Sequence, residues 1–201
     1  MNKPKIAIIG NGNVGGAIQK GVEKAGYEAR ATGADPKEVL SAGGWSDIIV
    51  LAIPAAARQD AIKNLGDVKG KVIVDVTNLL NADWSYAGDM KKSGAEEVQE
   101  WAKGAKVVKA FNTVFAQNMT TGKVKGVPLS LLVAGDDEGA KAKVLELGNA
   151  IGFEAVDAGP LANARYLEAL GFLNIQLGYT LKYGTDIGFK ITGSFAAKGG
   201  K

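Results

Sequence analysis

The sequence predicts an α/β fold in which helices cover both faces of a doubly wound parallel sheet. Short unbroken apolar runs alternate with amphipathic segments over the first three quarters of the 201 residues, and Gly, Pro or Asn follows each run closely. Such runs are typical of strands buried on both faces of a parallel sheet, and their alternation with helices is typical of doubly wound folds. The predicted strands are residues 6–9, 48–53, 72–76, 107–110 and 129–134, and the predicted helices are residues 14–25, 55–64, 95–103 and 138–151.

Composition excludes several kinds of chemistry. The chain contains no cysteine and no histidine, which excludes disulfides, thiolate catalysis and cysteine metal sites and removes the commonest general base and metal ligand. The 24 basic and 21 acidic residues are spread evenly and give a net charge of +3, so no nucleic-acid partner is expected. No apolar run reaches the roughly 18 residues that span a membrane, and no signal peptide precedes the first strand. A cytoplasmic location without membrane insertion is expected.

The pattern changes after Gly159-Pro160, and we expect a sheet domain of residues 1–158 and a C-terminal part of residues 159–201. The pattern of residues 161–183 predicts one long helix, and a glycine-rich tail follows it. Arg165 and Glu168 are spaced to pair on this helix. At about 100° per residue the helix carries two opposite apolar stripes, one of Leu167, Leu170, Leu173, Leu177 and Leu181, the other of Phe172, Ile175, Tyr179 and Tyr183. We expect one stripe to pack on the sheet and the other on a second subunit in a homodimer; the alternative is a helix covered by its own tail.

A glycine turn, Gly10-Asn11-Gly12-Asn13-Val14-Gly15, follows the first predicted strand and opens a helix. A G-x-G-x-x-G pattern alone is weak in a chain with 28 glycines, but this placement between strand and helix is that of the Rossmann dinucleotide fold. Gly10 suits the tight turn, Gly12 the close approach of a pyrophosphate, and Gly15 the packing of helix on strand. The amides of the helix start attract a pyrophosphate. We predict a Rossmann-type domain that binds a nicotinamide dinucleotide, with a turn that binds no ligand as the alternative.

The end of the second strand indicates which dinucleotide is used. An acid normally holds the adenosine ribose of NAD there, but the sequence has Thr32, Gly33 and Ala34 at this place. Asp35 precedes Pro36, which is typical of a helix N-cap. Without an acid a 2′-phosphate is not repelled, so the sequence favours NADP and leaves NAD open. The candidate donors to the 2′-phosphate are the Thr32 hydroxyl, the amides of Gly33 and Ala34, Arg30 and Lys37.

Further candidate residues mark the carboxyl ends of the other strands, where open sheets bind their ligands. The predicted cofactor-binding residues at these ends are Ile53, Pro54, Ala55, Asn78, Ala110, Phe111 and Asn112. Pro54 would shape a loop against the cofactor. The amides of Asn78 and Asn112 could orient the nicotinamide, or both residues could be ordinary turn residues. Lys109 is expected to be a solvated or paired structural residue. No catalytic side chain and no metal ligand stand out.

Three later segments follow the glycine turn in order: Lys-Ala-Phe-Asn-Thr at 109–113, Asp-Ala-Gly-Pro-Leu-Ala-Asn-Ala-Arg at 157–165, and Gly-Thr-Asp-Ile-Gly-Phe at 184–189. Together with the turn they resemble the coenzyme F420-dependent NADP oxidoreductase family. The same pattern is similar to the cytosolic reductase domain of the six-transmembrane metalloreductases. The resemblance covers essentially the whole chain, and the segments at 109–113 and 157–165 discriminate far better than the glycine turn.

The resemblance implies a Rossmann domain with a small helical C-terminal part, usually dimeric, and direct hydride transfer between carbon 4 of NADP and a stacked deazaflavin (coenzyme F420) or flavin. In such a reaction the cofactors carry the chemistry and the protein orients them. It also implies that residues near Gly159 and the C-terminal glycine segment border the acceptor. One difference is that the family's Ser-Arg pair, which clamps the 2′-phosphate, is replaced here by Gly33-Ala34.

Two other functions remain open at this level. A non-catalytic NAD(P)-binding module that senses redox state or serves a partner fits the lack of acid/base residues equally well. A hydroxyacid dehydrogenase would need a catalytic lysine or histidine in the C-terminal helix, and Lys182 is the one candidate there. We rank the dehydrogenase last.

Overall fold

The computed structural model describes residues 3–193. A seven-stranded sheet has the order β2-β1-β3-β4-β5-β8-β9, and a small antiparallel hairpin is formed by β6 and β7. The first five strands are parallel, as predicted. The strands are β1 Ile6–Ile9, β2 Ala29–Thr32, β3 Ile48–Leu51, β4 Val72–Asp75, β5 Lys106–Lys109, β6 Lys123–Val124, β7 Val127–Pro128, β8 Ser130–Gly135 and β9 Glu154–Asp157.

Seven α-helices accompany these strands in the described part of the chain. They are α1 Asn13–Lys24, α2 Pro36–Trp45, α3 Arg58–Asn64, α4 Gly94–Trp101, α5 Ala116–Met119, α6 Glu138–Ile151 and α7 Ala164–Ile175. Side chains start three of them: Asp35 caps α2, Ser93 caps α4 and Asp137 caps α6, each by accepting from amides that the first helical turn leaves free. None of these helices, within residues 3–193, is long and apolar enough to cross a membrane.

Two apolar layers explain why the central strands are unbroken apolar runs. One layer packs α1 and α6 on one face of the sheet through Ile18 and Val144. The other packs α2, α3 and α4 on the opposite face, with Leu65 among the fully buried residues. All residues of β1 and β3 are buried, because both faces of these strands are covered.

The last two strands differ from the predicted all-parallel sheet. β8 pairs antiparallel with β5, and β9 pairs parallel with β8. Between β5 and β8 the chain makes only the short α5 and the β6–β7 hairpin. It therefore does not return to the end of the sheet at which β5 begins, as a parallel connection requires. β9 was not predicted, because its Glu-Ala-Val-Asp sequence holds only two apolar residues.

The predicted C-terminal helix is present but buries a different face. A 3₁₀ turn at Leu161–Asn163, α7, and a π-helical turn at Gln176–Thr180 follow one another. The residues buried along this length are Leu161, Ala164, Leu167, Glu168, Gly171, Asn174 and Gly178. The prediction that a leucine stripe packs on the sheet holds for Leu167 and Leu170, which contact β8, and is wrong beyond them, since Leu173 is 48% exposed. Small and polar residues form the contact face instead.

The described part of the C-terminal tail packs on its own chain, but away from the exposed side of α7. The amide of Ser130 donates to the Phe189 carbonyl (3.0 Å), and the Asn118 side chain donates to the Thr185 and Ile187 carbonyls. Tyr179 and Tyr183 nevertheless stay 60% and 68% exposed. The alternative of a helix covered by its own tail is thus wrong for the tail up to residue 193; residues 194–201 lie outside the described residues.

An ion pair joins α7 to α4. The predicted pairing of Arg165 with Glu168 is wrong, because Arg165 makes two bonds to the Glu96 carboxylate at 2.8 and 2.6 Å. Glu96 also closes the capping box of α4 with Ser93. The Arg165 guanidinium, helped by the Ser93 bonds, lowers the pKa of Glu96 to about 2.

Glu96→Gln is expected to lower the free energy of unfolding by about 2 kcal/mol at neutral pH, after allowance for solvent screening. Because the pKa of Glu96 is lower in the folded chain than in the unfolded one, its contribution is full above about pH 4.5 and disappears as the pH falls toward 2. Urea titrations at several pH values should show the difference from wild type shrinking over that window. Glu100→Gln on the same helix, whose partner Lys92 is also exposed, is the control and should change little.

Candidate functional site

The glycine turn lies at the crevice where the strand order reverses. The Gly10 amide donates to the Thr32 carbonyl of β2 (2.9 Å), and the Ala52 amide donates to the Ile9 carbonyl of β1 (2.8 Å). The turn therefore separates β2 from β3 at their carboxyl ends, which is where open α/β sheets bind ligands. Gly10 has φ +108°, and a Cβ there would lie 2.1 Å from the Ala52 carbonyl oxygen.

The three glycines of the G-x-G-x-x-G turn have different surroundings. A Cβ on Gly15 would lie 1.7 Å from the Gly10 carbonyl oxygen, whereas a Cβ on Gly12 would meet nothing within 4 Å. Gly12 is the N-cap of α1, and no side chain caps that helix. Asn11, Gly12 and Asn13 are exposed. The turn thus presents open space and free amides at a helix start, the arrangement that a pyrophosphate needs.

The predicted residues after β3 border the same turn. The Ile53 side chain approaches within 3.0 Å of the position of a Cβ on Gly10. Pro54 is exposed and precedes a 3₁₀ turn at Ala55–Ala57, whose Ala55 is half-buried. These residues form the side of the crevice that faces the turn.

Asn78 and Asn112 lie together and fix one another. Asn78 Nδ2 donates to the Asn112 carbonyl, and Asn112 Nδ2 donates to Asn78 Oδ1, both at 2.9 Å. Asn112 Nδ2 also donates to the Leu167 carbonyl of α7 (2.7 Å). A Cβ on Gly171 of α7 would lie 2.4 Å from Asn78 Oδ1. The two amides therefore join the ends of β4 and β5 to α7, while Asn112 Oδ1 is buried with no partner among the described residues.

Ala110 and Phe111 contribute backbone rather than side chains to this edge. Both are buried, and the Phe111 ring packs edge-on against Phe153 in the core, with centroids 5.8 Å apart. Phe111 has φ +64°, an uncommon conformation for a bulky residue. That turn of the backbone directs Phe111 into the core and the next residue, Asn112, toward α7.

A buried ionic cluster that the sequence did not predict lies beneath Asn78 and Asn112. Lys109 Nζ donates to Asp75 Oδ2 (2.8 Å), Glu168 Oε1 (2.9 Å) and the Thr77 carbonyl (2.5 Å). The Lys109 and Asp75 side chains are 0% exposed and that of Glu168 is 1% exposed. Glu168 further accepts from the amides of Gly94 and Ala95. Lys109 is thus a paired structural residue, and it is buried rather than solvated.

The residues after β2 have an unexpected neighbour. Thr32 is buried, and its hydroxyl donates to Glu38 Oε2 of α2 (2.9 Å). Gly33 lies beside the Asn11 side chain, and Ala34 is exposed. Asp35 caps α2, as its position before Pro36 predicts. The sequence places no acid at the end of β2, but the first turn of α2 brings one there.

Gly159 lies close to the level at which β5 ends. Its carbonyl accepts from the Gly135 amide at the end of β8 (3.0 Å), and Gly135 pairs with Val108, one residue before the carboxyl end of β5. The C-terminal segment reaches Ser130 at the start of β8. That these two segments border the acceptor stays a prediction.

The fold, the crevice and the open glycine turn define a dinucleotide-binding protein of the Rossmann class. No family model matches the chain. The F420-dependent NADP reductase of Methanocaldococcus jannaschii is 32% identical over 179 residues, covering 85% of this chain and 78% of that protein. The chain therefore belongs to the F420-dependent NADP reductase family, which confirms the resemblance seen in the sequence.

Other relatives agree with this assignment. The rat metalloreductase STEAP3 is 26% identical over 83% of this chain, and the match spans only 36% of that protein. A crystal structure of a candidate F420-dependent NADP reductase from Arthrobacter sp. FB24 superposes with a TM-score of 0.85 at 27% identity, covering 94% of this chain and 99% of that one. An imine reductase from Myxococcus stipitatus, 22% identical with a TM-score of 0.64, shares the fold.

Proposed function

We propose that the chain is an oxidoreductase that transfers a hydride between a nicotinamide dinucleotide and a deazaflavin of the F420 type. The dinucleotide in the names of the relatives is NADP. The observation that carries this proposal is an uncapped, open glycine turn at the β1–β3 crevice of a chain that belongs to the F420-dependent NADP reductase family. Flavin is a second acceptor that fits the same reaction. When bound, the nicotinamide and the deazaflavin would supply the hydride chemistry, and the residues of the crevice would orient the two rings.

The side chains at the edge suit orientation rather than acid/base chemistry. The nearest ionisable groups beneath it, Lys109 and Asp75, are buried and bonded to each other. The chain supplies no histidine or cysteine. In our proposal the amides of the glycine turn hold the pyrophosphate, and Ile53, Pro54 and Ala55 border the cofactor. Asn78 and Asn112 fix the floor beneath the nicotinamide, with backbone from residues 110 and 111.

Mixing the protein with NADPH and oxidised F420 tests this function. Loss of the deazaflavin absorbance at a rate proportional to protein concentration is expected, with a flavin mononucleotide reaction run beside it. If NADPH binds but neither acceptor is reduced, the non-catalytic binding module becomes the better description. The glycine turn supports that second function as well, since a turn can hold a dinucleotide without an acceptor site.

We further infer that residues 159–201 form the dimerisation and acceptor-site part of the chain. The supporting observation is a set of large, exposed apolar side chains on the C-terminal helix and directly after it, within the described residues. Its members are Tyr166, Leu173, Tyr179, Leu181 and Tyr183, which are between 48% and 68% exposed. Several large apolar side chains exposed within one short segment are typical of an interface.

The wild-type chain is expected to sediment as a dimer at micromolar concentration. The double variant Leu173→Lys with Leu181→Lys should sediment as a monomer, because charges at the centre of an apolar interface oppose association. Leu40→Lys, at a residue on α2 that is 54% exposed, is the control and should remain a dimer. A monomeric wild-type chain would rule the dimer out.

A further inference from the structure

The adenosine end of the dinucleotide site is formed by the residues that follow β2. The Thr32 carbonyl bonds to the Gly10 amide of the glycine turn, and a Cβ on Gly33 would lie 3.8 Å from Asn11 Nδ2. In this fold the 2′ position of the adenosine ribose lies against the residue that ends the second strand. Whatever surrounds Thr32, Gly33 and Ala34 therefore decides between a 2′-hydroxyl and a 2′-phosphate.

Two of the five candidate donors to a 2′-phosphate, the Thr32 hydroxyl and Arg30, are already engaged, and so is the start of α2. The Thr32 hydroxyl donates to Glu38 Oε2 (2.9 Å). The amides of Lys37 and Glu38, which start α2, donate to the Asp35 carboxylate at 2.8 and 3.1 Å. A helix start is an anion site only while its amides are free. Here the chain's own Asp35 fills that position.

Arg30, a second cation that the sequence offered, lines the same pocket as Thr32, Lys37 and Glu38, but its guanidinium is already engaged. Its guanidinium lies over the Trp45 ring, 4.1 Å from the centroid, and 3.8 Å from Glu28. Trp45 is the last residue of α2, so Arg30 points toward the end of that helix opposite to Asp35. Lys37 is the remaining cation among the residues that the sequence offered.

Two carboxylates lie at the adenosine end. Asp35 and Glu38 are accompanied there by the ammonium of Lys37, while the positive charge of Arg30 is shared with Glu28. A 2′-phosphate carries between one and two negative charges at neutral pH, and carboxylates close by oppose its binding. A 2′-hydroxyl, in contrast, can donate a hydrogen bond to a carboxylate, as it does to the acid that ends the second strand in NAD-binding relatives of this fold.

We propose that Glu38 is the residue that discriminates at the 2′ position, and that this chain binds NAD(H) at least as tightly as NADP(H). The pyrophosphate fits the glycine turn, whereas the 2′-phosphate does not fit the residues that surround Thr32. The inference rests on the proposed function for the presence of a dinucleotide, and it differs from the nucleotide in the family's name. Glu38 reaches back from the third position of α2 to do what a strand-end acid does in other folds of this class.

Calorimetric titration of the full chain with NADH and with NADPH, at low ionic strength, tests this proposal without any acceptor. The wild-type chain should bind NADH with a dissociation constant equal to or lower than that for NADPH. Glu38→Gln keeps an acceptor for the Thr32 hydroxyl but removes the charge, so NADPH affinity should rise about fivefold while NADH affinity changes less than about twofold. Added salt should narrow the difference between the nucleotides.

Glu23→Gln is the matched control. Glu23 is an exposed glutamate near the C-terminal end of α1, whereas the glycine turn lies at the N-terminal end, and its side chain bonds only to Gln19 among the described residues. Its replacement should leave the ratio of the two affinities unchanged. Two results would overturn this inference and leave the proposed function intact. One is wild-type binding of NADPH tenfold tighter than NADH. The other is a ratio of the two affinities that Glu38→Gln does not change. Binding of neither nucleotide would overturn the proposed function together with this inference.

Discussion

Gly15→Ala is expected to lower the free energy of unfolding by roughly 3 kcal/mol or to prevent folding, although it adds a single methyl group. The added Cβ would lie 1.7 Å from the Gly10 carbonyl oxygen and 3.2 Å from the Ile8 side chain. The first of these contacts is with backbone, so no side-chain rotation can relieve it. Either α1 moves away from β1 or the turn opens, and both changes disrupt the packing of Ile18 in the core.

Neighbouring glycines provide matched controls for the same chemical change. A Cβ on Gly16 would meet nothing within 4 Å, and Gly16 lies within α1, so Gly16→Ala should stabilise the chain by about 0.5–1 kcal/mol through helix propensity. Gly12→Ala also adds its methyl group in open space. It should leave stability nearly unchanged but weaken dinucleotide binding at least about tenfold, because the pyrophosphate loses its close approach to the backbone.

Urea unfolding and calorimetric titration with NADPH and NADH separate the three variants. The expected pattern is loss of stability for Gly15→Ala alone and loss of binding without loss of stability for Gly12→Ala. Equal stability of Gly15→Ala and Gly16→Ala would contradict the tight contact between α1 and β1. Undiminished binding by Gly12→Ala would contradict the placement of the pyrophosphate against the turn.

The sequence predicted local features well because short-range rules decide them. The glycine turn, the Asp35 cap and the parallel strands β1, β3, β4 and β5 follow from adjacent residues and from apolar runs. The contact between Glu38 and Thr32 is also local, because the two residues are six positions apart, but the sequence did not predict it. An acid is expected within the strand end itself, whereas Glu38 stands at the third position of the next helix and its side chain reaches back.

The site's floor could not be predicted, because its contacts join distant parts of the chain. Asn112 meets Asn78 across 34 residues and Leu167 across 55 residues. The contact face of α7 includes Glu168 and Asn174, which apolar periodicity assigns to solvent. Polar residues can be buried there only because remote segments supply their hydrogen-bond partners, and no local pattern records those partners.

Lys109→Met is expected to lower the free energy of unfolding by about 3–5 kcal/mol, because it leaves two carboxylates buried without a cation. Methionine has nearly the same volume and length as lysine, so the packing of β5 is largely kept. What is lost is the ammonium that bonds Asp75, Glu168 and the Thr77 carbonyl at 2.5–2.9 Å. Glu168 belongs to α7, so its destabilisation also loosens the helix that holds Asn112.

Lys106→Met is the control on the same strand. Lys106 pairs with Asp137 at the surface, with its side chain 44% exposed, and a pair of this kind contributes less than about 1 kcal/mol. The two variants therefore make the same replacement three residues apart, one in the core and one at the surface. Urea titrations should place Lys109→Met far below wild type and Lys106→Met close to it.

Neutralising the whole cluster distinguishes a charge effect from a packing effect. In the triple variant Lys109→Met, Asp75→Asn and Glu168→Gln, the amide oxygens can still accept from Thr77 and Gly94, as the carboxylates do now. No uncompensated charge stays buried, so most of the lost stability should return. If the triple variant were as unstable as Lys109→Met alone, packing of the lysine stem would explain the loss. Recovery of stability would show that Lys109 holds α7 on the sheet by neutralising Asp75 and Glu168. Lys109 would thereby keep Asn78 and Asn112 in place at the carboxyl ends of the strands.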